Sequence, residues 1–252
     1  PWFAYVHVMD VHSYFFFRGI VDCIRKLRFL PRLLAARRRG LCQRPLLHDL
    51  SLMQIDHCFA RVLRALKGAE AGDDTVVVVI GDHGKHFPGI DARPVVEFTQ
   101  RTNHEHIDTV FVMTGVEKLP TNCTGLLDSM AVSSTLMQAL NIAPHPSFKG
   151  ISAFDGGREF VISENAGRGS GDLERKDLFF TITSRTRKLM SGLLGDALVP
   201  IALYDLIVDP IELHDVKDEE KYSDEIEELL ELIRHERAEV LNARLRIQAN
   251  NK

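Results

Sequence analysis

The chain has 252 residues, and its balance of 45% hydrophobic and 26% charged residues is typical of a globular protein and excludes a disordered or fibrous one. A net charge of −4 at pH 7 gives no overall attraction to nucleic acid, so we expect no nucleic-acid partner. Because no apolar run approaches the roughly 18 residues that span a bilayer, we also expect no transmembrane segment.

The first predicted element is a strand over residues 2–9, WFAYVHVM, which is a run of mainly apolar, β-forming residues. Nine Arg and Lys residues follow between Arg18 and Arg44, interspersed with apolar residues at helical spacing. We interpret this basic stretch as amphipathic helices with a solvated basic face. The alternative is a patch that binds a sulfated or phosphorylated polymer or a membrane surface.

Helices and strands alternate in the first part of the chain. A helix is predicted over residues 46–66, a strand over 76–80, a second strand over 109–113 and a helix over about 125–140. Residues 76–80 lack polar alternation, which is typical of a central parallel strand that is covered on both faces. This alternation of elements indicates a doubly wound α/β sheet, which we assign to residues 1–150.

The pattern changes after this point, because the predicted strands are no longer separated by long helices. Short strands are predicted near residues 159–163, 178–183 and 201–205, and a charged amphipathic helix is predicted over 223–245. We therefore predict a second, smaller α+β unit over residues 151–252.

The apolar strand at residues 76–80 runs directly into Gly-Asp-His-Gly, so that Asp82 and His83 lie between two glycines. Ligands of open α/β sheets bind beyond the carboxyl ends of the strands, which is where these two side chains are expected. A carboxylate oxygen and an imidazole nitrogen from adjacent residues can bind one divalent metal ion. The alternative is that Asp82 caps the following turn and His83 makes a local hydrogen bond.

The segment MQIDHCFARVLRALKGAEAGDDTVVVVIGDHG, residues 53–84, resembles a stretch of the sulfatase family in the alkaline phosphatase superfamily. In that family a helix with an internal Asp, a D-x-T turn, an apolar strand and a D-H/N-G motif follow in this order. The matching parts here are Asp56, the turn at residues 73–75 and the Asp82–Gly84 motif. Four further segments are similar to motifs of the family and occur in the family's order: WFAYVHVMDVHSYF, GLLDSMAVSSTLMQALNIAPHPSFKGIS, LFFTITSRTRKLM and IALYDLIVDPIELHDV.

The resemblance implies an alkaline phosphatase-like doubly wound sheet, present in part, with a small α+β C-terminal subdomain. It also implies a hydrolase of sulfate esters in which Asp82 and His83 are metal ligands. The implied metal is a divalent ion, usually Ca²⁺ in sulfatases and Zn²⁺ or Mn²⁺ in related phosphotransferases. The implied partner is an anionic ester substrate such as a sulfated glycan.

The sulfatase nucleophile is a formylglycine made from the Cys or Ser of a C/S-x-P-x-R motif, and this sequence contains no such motif. Since the sequence also starts at Pro1 directly before an apolar run, we expect it to be the carboxyl-terminal portion of a longer enzyme. The N-terminal portion would supply the nucleophile, and the present portion alone would be inactive. The alternative is a relative that has lost the family chemistry and binds glycans without catalysis.

Two further residues are candidate contacts of the transferring group. His12 matches the family histidine that contacts this group, where it could donate a hydrogen bond or protonate the leaving oxygen. Lys85 directly follows the metal pair, where a cation could stabilise the negative charge that develops during transfer. The alternative for both is a structural or solvated loop residue.

The lysine that the family has in a K-G-x-x-x-x-E context lacks a clear counterpart in EFTQRTNHEHIDTVFVM, residues 97–113. Arg101 is nearest in position and could hold an oxyanion with two hydrogen bonds. His104 and His106 are further polar candidates, although H-x-H often reflects two polar residues on one face of a strand. A phosphoester hydrolase or a phosphoethanolamine-type transferase on the same scaffold therefore remains an alternative.

The resemblance also implies a location. Members of the family usually act in the secretory pathway, in lysosomes, or in extracellular or periplasmic space. The NCT sequence at Asn122 is a sequon for N-glycosylation, which agrees with such a location but also arises by chance.

Overall fold

The computed structural model describes the chain in ranges separated by gaps: residues 2–9, 11–12, 27, 30–40, 44–69, 72, 74–85, 87, 102–117, 123–165 and 178–250. The chain divides into two compact units. The first unit comprises Pro1–Thr75 and Phe87–Asp91, and the second comprises Val76–His86 and Ala92–Lys252.

Two helices, α1 (Leu30–Arg38) and α2 (Arg44–Lys67), belong to the first unit. Pro31 stands in the first turn of α1, where an N–H group would have no partner within the helix. The helix predicted over residues 46–66 is confirmed by α2, and α1 confirms a helix within the basic stretch.

The strand predicted over residues 2–9 is wrong for the structure as described. These residues have no strand pairing, and Phe3 and Val6 are 83% and 80% exposed. A run of β-forming residues becomes a strand only when a neighbouring backbone edge pairs with its N–H and C=O groups. Among the described strands, none is paired with residues 2–9.

In the second unit, β1 (Val77–Ile80) and β2 (Phe111–Thr114) form a two-stranded antiparallel sheet. Both strands were expected from the sequence, but the parallel pairing predicted for β1 is wrong for this pair. A single helical turn, α3 (His104–Ile107), lies at the carboxyl end of β1, because the Gly84 N–H donates to the His106 carbonyl oxygen over 2.7 Å. The chain therefore enters β2 from that end and runs back along β1.

Four residue pairs define the register of this sheet: Val77–Thr114, Val78–Met113, Val79–Val112 and Ile80–Phe111. Ile80 is 48% exposed, so the predicted coverage of β1 on both faces is not found in the described part of the chain. Asp82 follows the carboxyl end of β1, as predicted.

Helix α4 (Ala131–Ala139) is the helix predicted over about residues 125–140, and it begins later than predicted. The preceding residues approach another loop instead, where Leu126 forms an isolated β-bridge with Arg158. Asp128 connects the two features. Its Oδ1 accepts a hydrogen bond from the first amide of α4 over 2.9 Å, and its Oδ2 lies 3.1 Å from Arg158 Nε.

The remaining strands, β3 to β6, form an antiparallel sheet in chain order: Phe160–Asn165, Phe179–Ser184, Arg187–Leu194 and Ala197–Asp205. Strands β3, β4 and β6 confirm the three strands predicted after residue 150, whereas β5 is an additional strand. Helix α5 (Ser223–Glu236) packs an apolar face on this sheet. Five side chains of this core are completely buried: Phe180, Ile182, Leu189, Leu203 and Ile233.

The helix predicted over residues 223–245 is two helices, α5 and α6 (Ala238–Asn250), separated at Arg237. Arg237 leaves helical geometry, with φ −118° and ψ 22°, and its guanidinium pairs with the Glu164 carboxylate of β3. This contact joins residues that are far apart in the chain, so helical periodicity alone does not reveal the break.

The described elements make this a mixed α/β chain. Within the ranges that the structure describes, no helix is long and apolar enough to cross a membrane. The boundary predicted between residues 150 and 151 stays a prediction, and the Asp128–Arg158 ion pair connects its two sides.

Candidate active site

Two glycines shape the loop that follows β1. A Cβ atom on Gly81 would lie 2.1 Å from the Thr109 Oγ1 atom, and one on Gly84 would lie 2.1 Å from the Glu105 carbonyl oxygen. Neither position has room for a side chain, since contacts below about 3 Å between such atoms require something to move. The Gly81 N–H also donates to the Val110 carbonyl oxygen over 3.0 Å. The loop is therefore held against the segment that leads from α3 into β2.

Asp82 and His83 lie between these glycines, and each uses one polar atom within the loop. The Asp82 Oδ1 atom accepts a hydrogen bond from the His83 N–H over 2.9 Å. The His83 Nδ1 atom lies 2.7 Å from the Gly84 carbonyl oxygen. Because a carbonyl oxygen only accepts, Nδ1 carries the proton in this contact, and in the neutral imidazole Nε2 then has the lone pair.

The second polar atom of each side chain is available for a ligand. His83 Nε2 lies 3.7 Å from Asp82 Oδ2, and the two side chains are 53% and 80% exposed. Two ligands of one metal ion lie about 3 to 4 Å apart when each is about 2.0 to 2.6 Å from the ion. The donor types, their spacing and their exposure therefore fit a divalent ion.

The protonated Nδ1 is a further sign that His83 suits a metal. Metal-binding histidines usually donate their other N–H to a carbonyl or carboxylate, which fixes the ring and the tautomer. The same hydrogen bonds also match the alternative of a purely local turn. Among the described residues, no group of three or more His, Cys, Asp or Glu side chains is arranged to hold a metal. Asp82 and His83 are thus a candidate pair of ligands, and a complete shell would need others.

His104 is the first residue of α3, the helical turn that accepts the hydrogen bond from Gly84 of this loop. Its backbone N–H donates to both carboxylate oxygens of Glu212, over 3.0 and 3.1 Å. Its Nδ1 atom is buried, lies 3.7 Å from Glu212 Oε1 and makes no hydrogen bond to the described residues. The Glu212 carboxylate in turn accepts a hydrogen bond from Lys188 Nζ over 2.6 Å.

The sequence did not suggest Lys188 or Glu212 as members of this region. Lys188 lies in the apolar strand β5 and Glu212 lies in the DPIE segment after β6. Both are almost completely buried, at 1% and 3% exposure. The sequence signal that could have revealed this pair is a lysine inside an apolar strand, since a buried lysine needs a partner.

The remaining candidates of the sequence analysis have different surroundings in the structure. Lys85 directly follows Gly84 and is half-buried, whereas His106 forms a local hydrogen bond from its ring to Asn103 Oδ1 over 2.9 Å. His12 lies in an exposed turn of the first unit, so the prediction that it shares a cleft with His83 stays a prediction. The candidate Arg101 and the sequon residue Asn122 lie outside the described residues.

The fold and this site together define an α/β protein with an exposed Asp–His pair, a candidate pair of metal ligands, after the carboxyl end of a strand. The model of the sulfatase family matches residues 1–143, which is more than half of the chain. The chain therefore belongs to the sulfatase family. Members of this family generally use a divalent metal ion. No curated protein sequence matches the chain.

Solved structures show the same fold. A putative sulfatase from Bacteroides thetaiotaomicron VPI-5482 aligns with a TM-score of 0.57 and 22% identity, over 77% of this chain and 42% of its own. A protein solved with its substrate D-glucosamine-2-N,6-O-disulfate aligns with a TM-score of 0.57 and 16% identity, over 92% of this chain and 50% of its own. The phosphonate monoester hydrolase of Agrobacterium radiobacter aligns with a TM-score of 0.54 and 20% identity, over 78% and 42%.

These likenesses confirm the predicted fold class, which is that of the alkaline phosphatase-like sulfatases with the sheet present in part. The chain spans between 42% and 50% of the length of these three structures. At identities of 22% or less, the likeness concerns the fold and leaves activity and substrate to the site itself.

Proposed function

We propose that this chain is part of a metal-dependent hydrolase of sulfate esters. The observation that carries the proposal is the exposed pair of Asp82 Oδ2 and His83 Nε2, which lie 3.7 Å apart after β1. The family and the position at a strand end agree with this assignment. A nucleophile is the missing part, because the sequence has no C/S-x-P-x-R motif, and we infer that sequence outside these 252 residues supplies it.

The proposed metal is Ca²⁺, with Zn²⁺ or Mn²⁺ if the enzyme transfers a phosphoryl group instead. Bound at this pair, the ion would act as a Lewis acid on the oxygens of the ester. Asp82 offers a charged oxygen, and the hydrogen bond from His83 to the Gly84 carbonyl keeps the imidazole turned with Nε2 outward. This arrangement needs no change of tautomer when an ion binds.

The remaining polar candidates would contact the ester itself. His12, Lys85, Arg101 and His104 are proposed to donate hydrogen bonds or positive charge to the anionic group and to the leaving oxygen. We propose a sulfated glycan as the substrate, and the disulfated glucosamine bound by one structural neighbour supports this class. A secretory, lysosomal, extracellular or periplasmic location belongs to the same proposal.

The second candidate is a hydrolase or transferase that acts on phosphorus esters. The observation that favours it is the likeness to a phosphonate monoester hydrolase, together with the missing family lysine. The same metal pair would serve both reactions, so the nucleophile decides between them.

Metal binding tests the proposal directly on this chain. We expect isothermal titration to detect binding of Ca²⁺, Mn²⁺ or Zn²⁺, and we expect Mn²⁺ to broaden the NMR signals of the His83 ring. Asp82→Asn and His83→Ala should each weaken binding at least about tenfold, because each removes one ligand atom. Asp196→Asn and His145→Ala are matched controls, since both residues are exposed and lie outside this loop.

The metal-binding and the activity measurements can each contradict a different part of the proposal. Equal binding by all four variants, or no binding by the unmodified chain, would contradict the metal site.

The 252-residue chain should hydrolyse neither an aryl sulfate nor an aryl phosphate, and clear turnover would overturn the inference that the nucleophile lies outside it. In a longer protein that includes the upstream sequence, preference for the aryl phosphate would favour the second candidate.

A further inference from the structure

A buried ion pair connects the C-terminal sheet to the candidate metal loop. Lys188 Nζ lies 2.6 Å from Glu212 Oε1, and both oxygens of the same carboxylate accept a hydrogen bond from the His104 N–H. Lys188 and Glu212 are 1% and 3% exposed, so the contacts between them are shielded from bulk water. The carboxylate is therefore satisfied by one cation and by the first amide of α3.

Stability alone is a weak reason for such a pair. Burying two charges costs desolvation energy that their attraction often only offsets, and well-packed apolar residues can replace them without loss of stability. Glu212 also has a left-handed backbone, with φ at +59°, which is unfavourable for a residue with a side chain. The buried charges and the left-handed backbone are both explained if the Glu212 carboxylate must reach one particular position.

That position is at the start of α3, the helical turn that contacts the metal loop. Glu212 fixes the start of α3, and two residues later the His106 carbonyl oxygen accepts the Gly84 N–H over 2.7 Å. The Gly84 carbonyl oxygen in turn accepts the Nδ1 proton of His83. Because Gly84 has no side chain, its backbone can approach α3 this closely; a Cβ there would lie 2.1 Å from the Glu105 carbonyl oxygen.

We propose that Lys188 and Glu212 are positioning residues for the candidate metal site: they hold α3, and α3 holds the Gly84 loop that orients His83. The proposal rests on the function proposed above, and it adds a role for the C-terminal subdomain in that function. In the contacts given above, Glu212 reaches the loop through α3 and not through the metal pair itself, and Lys188 acts by holding the Glu212 carboxylate. A purely structural role would stabilise the fold without affecting the loop.

Two double variants separate these roles. Lys188→Met/Glu212→Leu removes both charges and the acceptor for the His104 amide, whereas Lys188→Met/Glu212→Gln removes the charges and keeps an acceptor oxygen. Arg187→Met is the matched control, because Arg187 is the neighbouring residue on β5 and pairs with Asp205 and Glu225. All are made in the full 252-residue chain.

The measurements are hydrogen exchange of single amides by NMR and Mn²⁺ affinity. In the Leu variant, the Gly84 amide should exchange at least about tenfold faster and Mn²⁺ should bind about tenfold more weakly, as is usual when a residue behind a metal ligand is lost. The Gln variant should recover most of both properties, and the Arg187 control should retain them even if its melting temperature falls. Unchanged Gly84 exchange in a folded Leu variant would overturn the proposal.

The unmodified chain supplies a test that requires no substitution. If α3 and the loop move as one unit, the His104 and Gly84 amides should become exchangeable through the same opening reaction. Opening of Gly84 more than about tenfold more often than His104 would overturn the proposal. If the unmodified chain binds no metal ion, the proposed function fails, whereas the amide exchange still decides whether Glu212 and Lys188 hold the loop.

Discussion

Gly84 of the candidate site is closely surrounded by backbone atoms. A Cβ there would lie 2.1 Å from the Glu105 carbonyl oxygen and 2.8 Å from that of Asp108, and both are backbone atoms that cannot rotate away. Gly84→Ala should therefore displace α3 or the loop and destabilise the fold by about 1 to 3 kcal/mol, as overpacked substitutions do. Thermal unfolding measures this loss, and Mn²⁺ titration should show weaker binding in the same variant.

Gly68→Ala is the matched control for Gly84→Ala. The nearest atoms to a Cβ on Gly68 lie at 3.6 Å, which is ordinary contact, and this glycine follows the last turn of α2. If the Gly84→Ala variant melts at the same temperature and binds Mn²⁺ with the same affinity as the unmodified chain, the loop is less tightly packed than its contacts indicate.

Among the secondary-structure elements, α5 joins the C-terminal sheet through its apolar face. Ile233 is completely buried in the core that α5 shares with the sheet. Ile233→Ala should reduce the free energy of unfolding by about 2 to 5 kcal/mol, because it removes apolar contacts and leaves a cavity. Chemical denaturation followed by circular dichroism measures the change.

An exposed residue of the same size provides the comparison. Leu194 ends β5 and is 69% exposed, so Leu194→Ala should change the free energy of unfolding by less than about 0.5 kcal/mol. Equal losses for the two variants would mean that α5 does not pack on the sheet in solution as the core contacts require.

At the scale of the whole molecule, the prediction concerns His12, which we propose donates a hydrogen bond or a proton to the transferred group. In a longer protein that includes the upstream sequence, His12→Ala should lower turnover of an aryl sulfate at least about a hundredfold, because general acid–base groups typically contribute that much. Steady-state kinetics measures the loss, and His145→Ala is the control, since His145 is exposed and lies outside the metal loop. Unchanged turnover in the His12→Ala variant would remove His12 from the mechanism and leave the metal pair unaffected.

Local patterns in the sequence predicted much of this chain. The apolar run before Gly81 predicted β1, and the spacing of apolar residues predicted α2 and α5, since both signals depend on neighbours in the chain. The order of the motifs pointed to the sulfatase family, and the match over residues 1–143 confirms it. The Asp82–His83 pair came from the same local signal, because adjacent residues after a strand must lie together.

Contacts between distant segments were decided only by the tertiary structure. The direction of β2 along β1 depends on where α3 turns the chain, and the state of residues 2–9 depends on whether a partner edge is present. The hydrogen bond between His104 and Glu212 spans 108 positions. Periodicity records which face of an element is apolar, but it does not record which backbone or which charge that face will meet. For that reason the sequence determined the family, most of the elements and the candidate ligands, and the tertiary structure decided which distant segments contact α3 and the loop that carries those candidates.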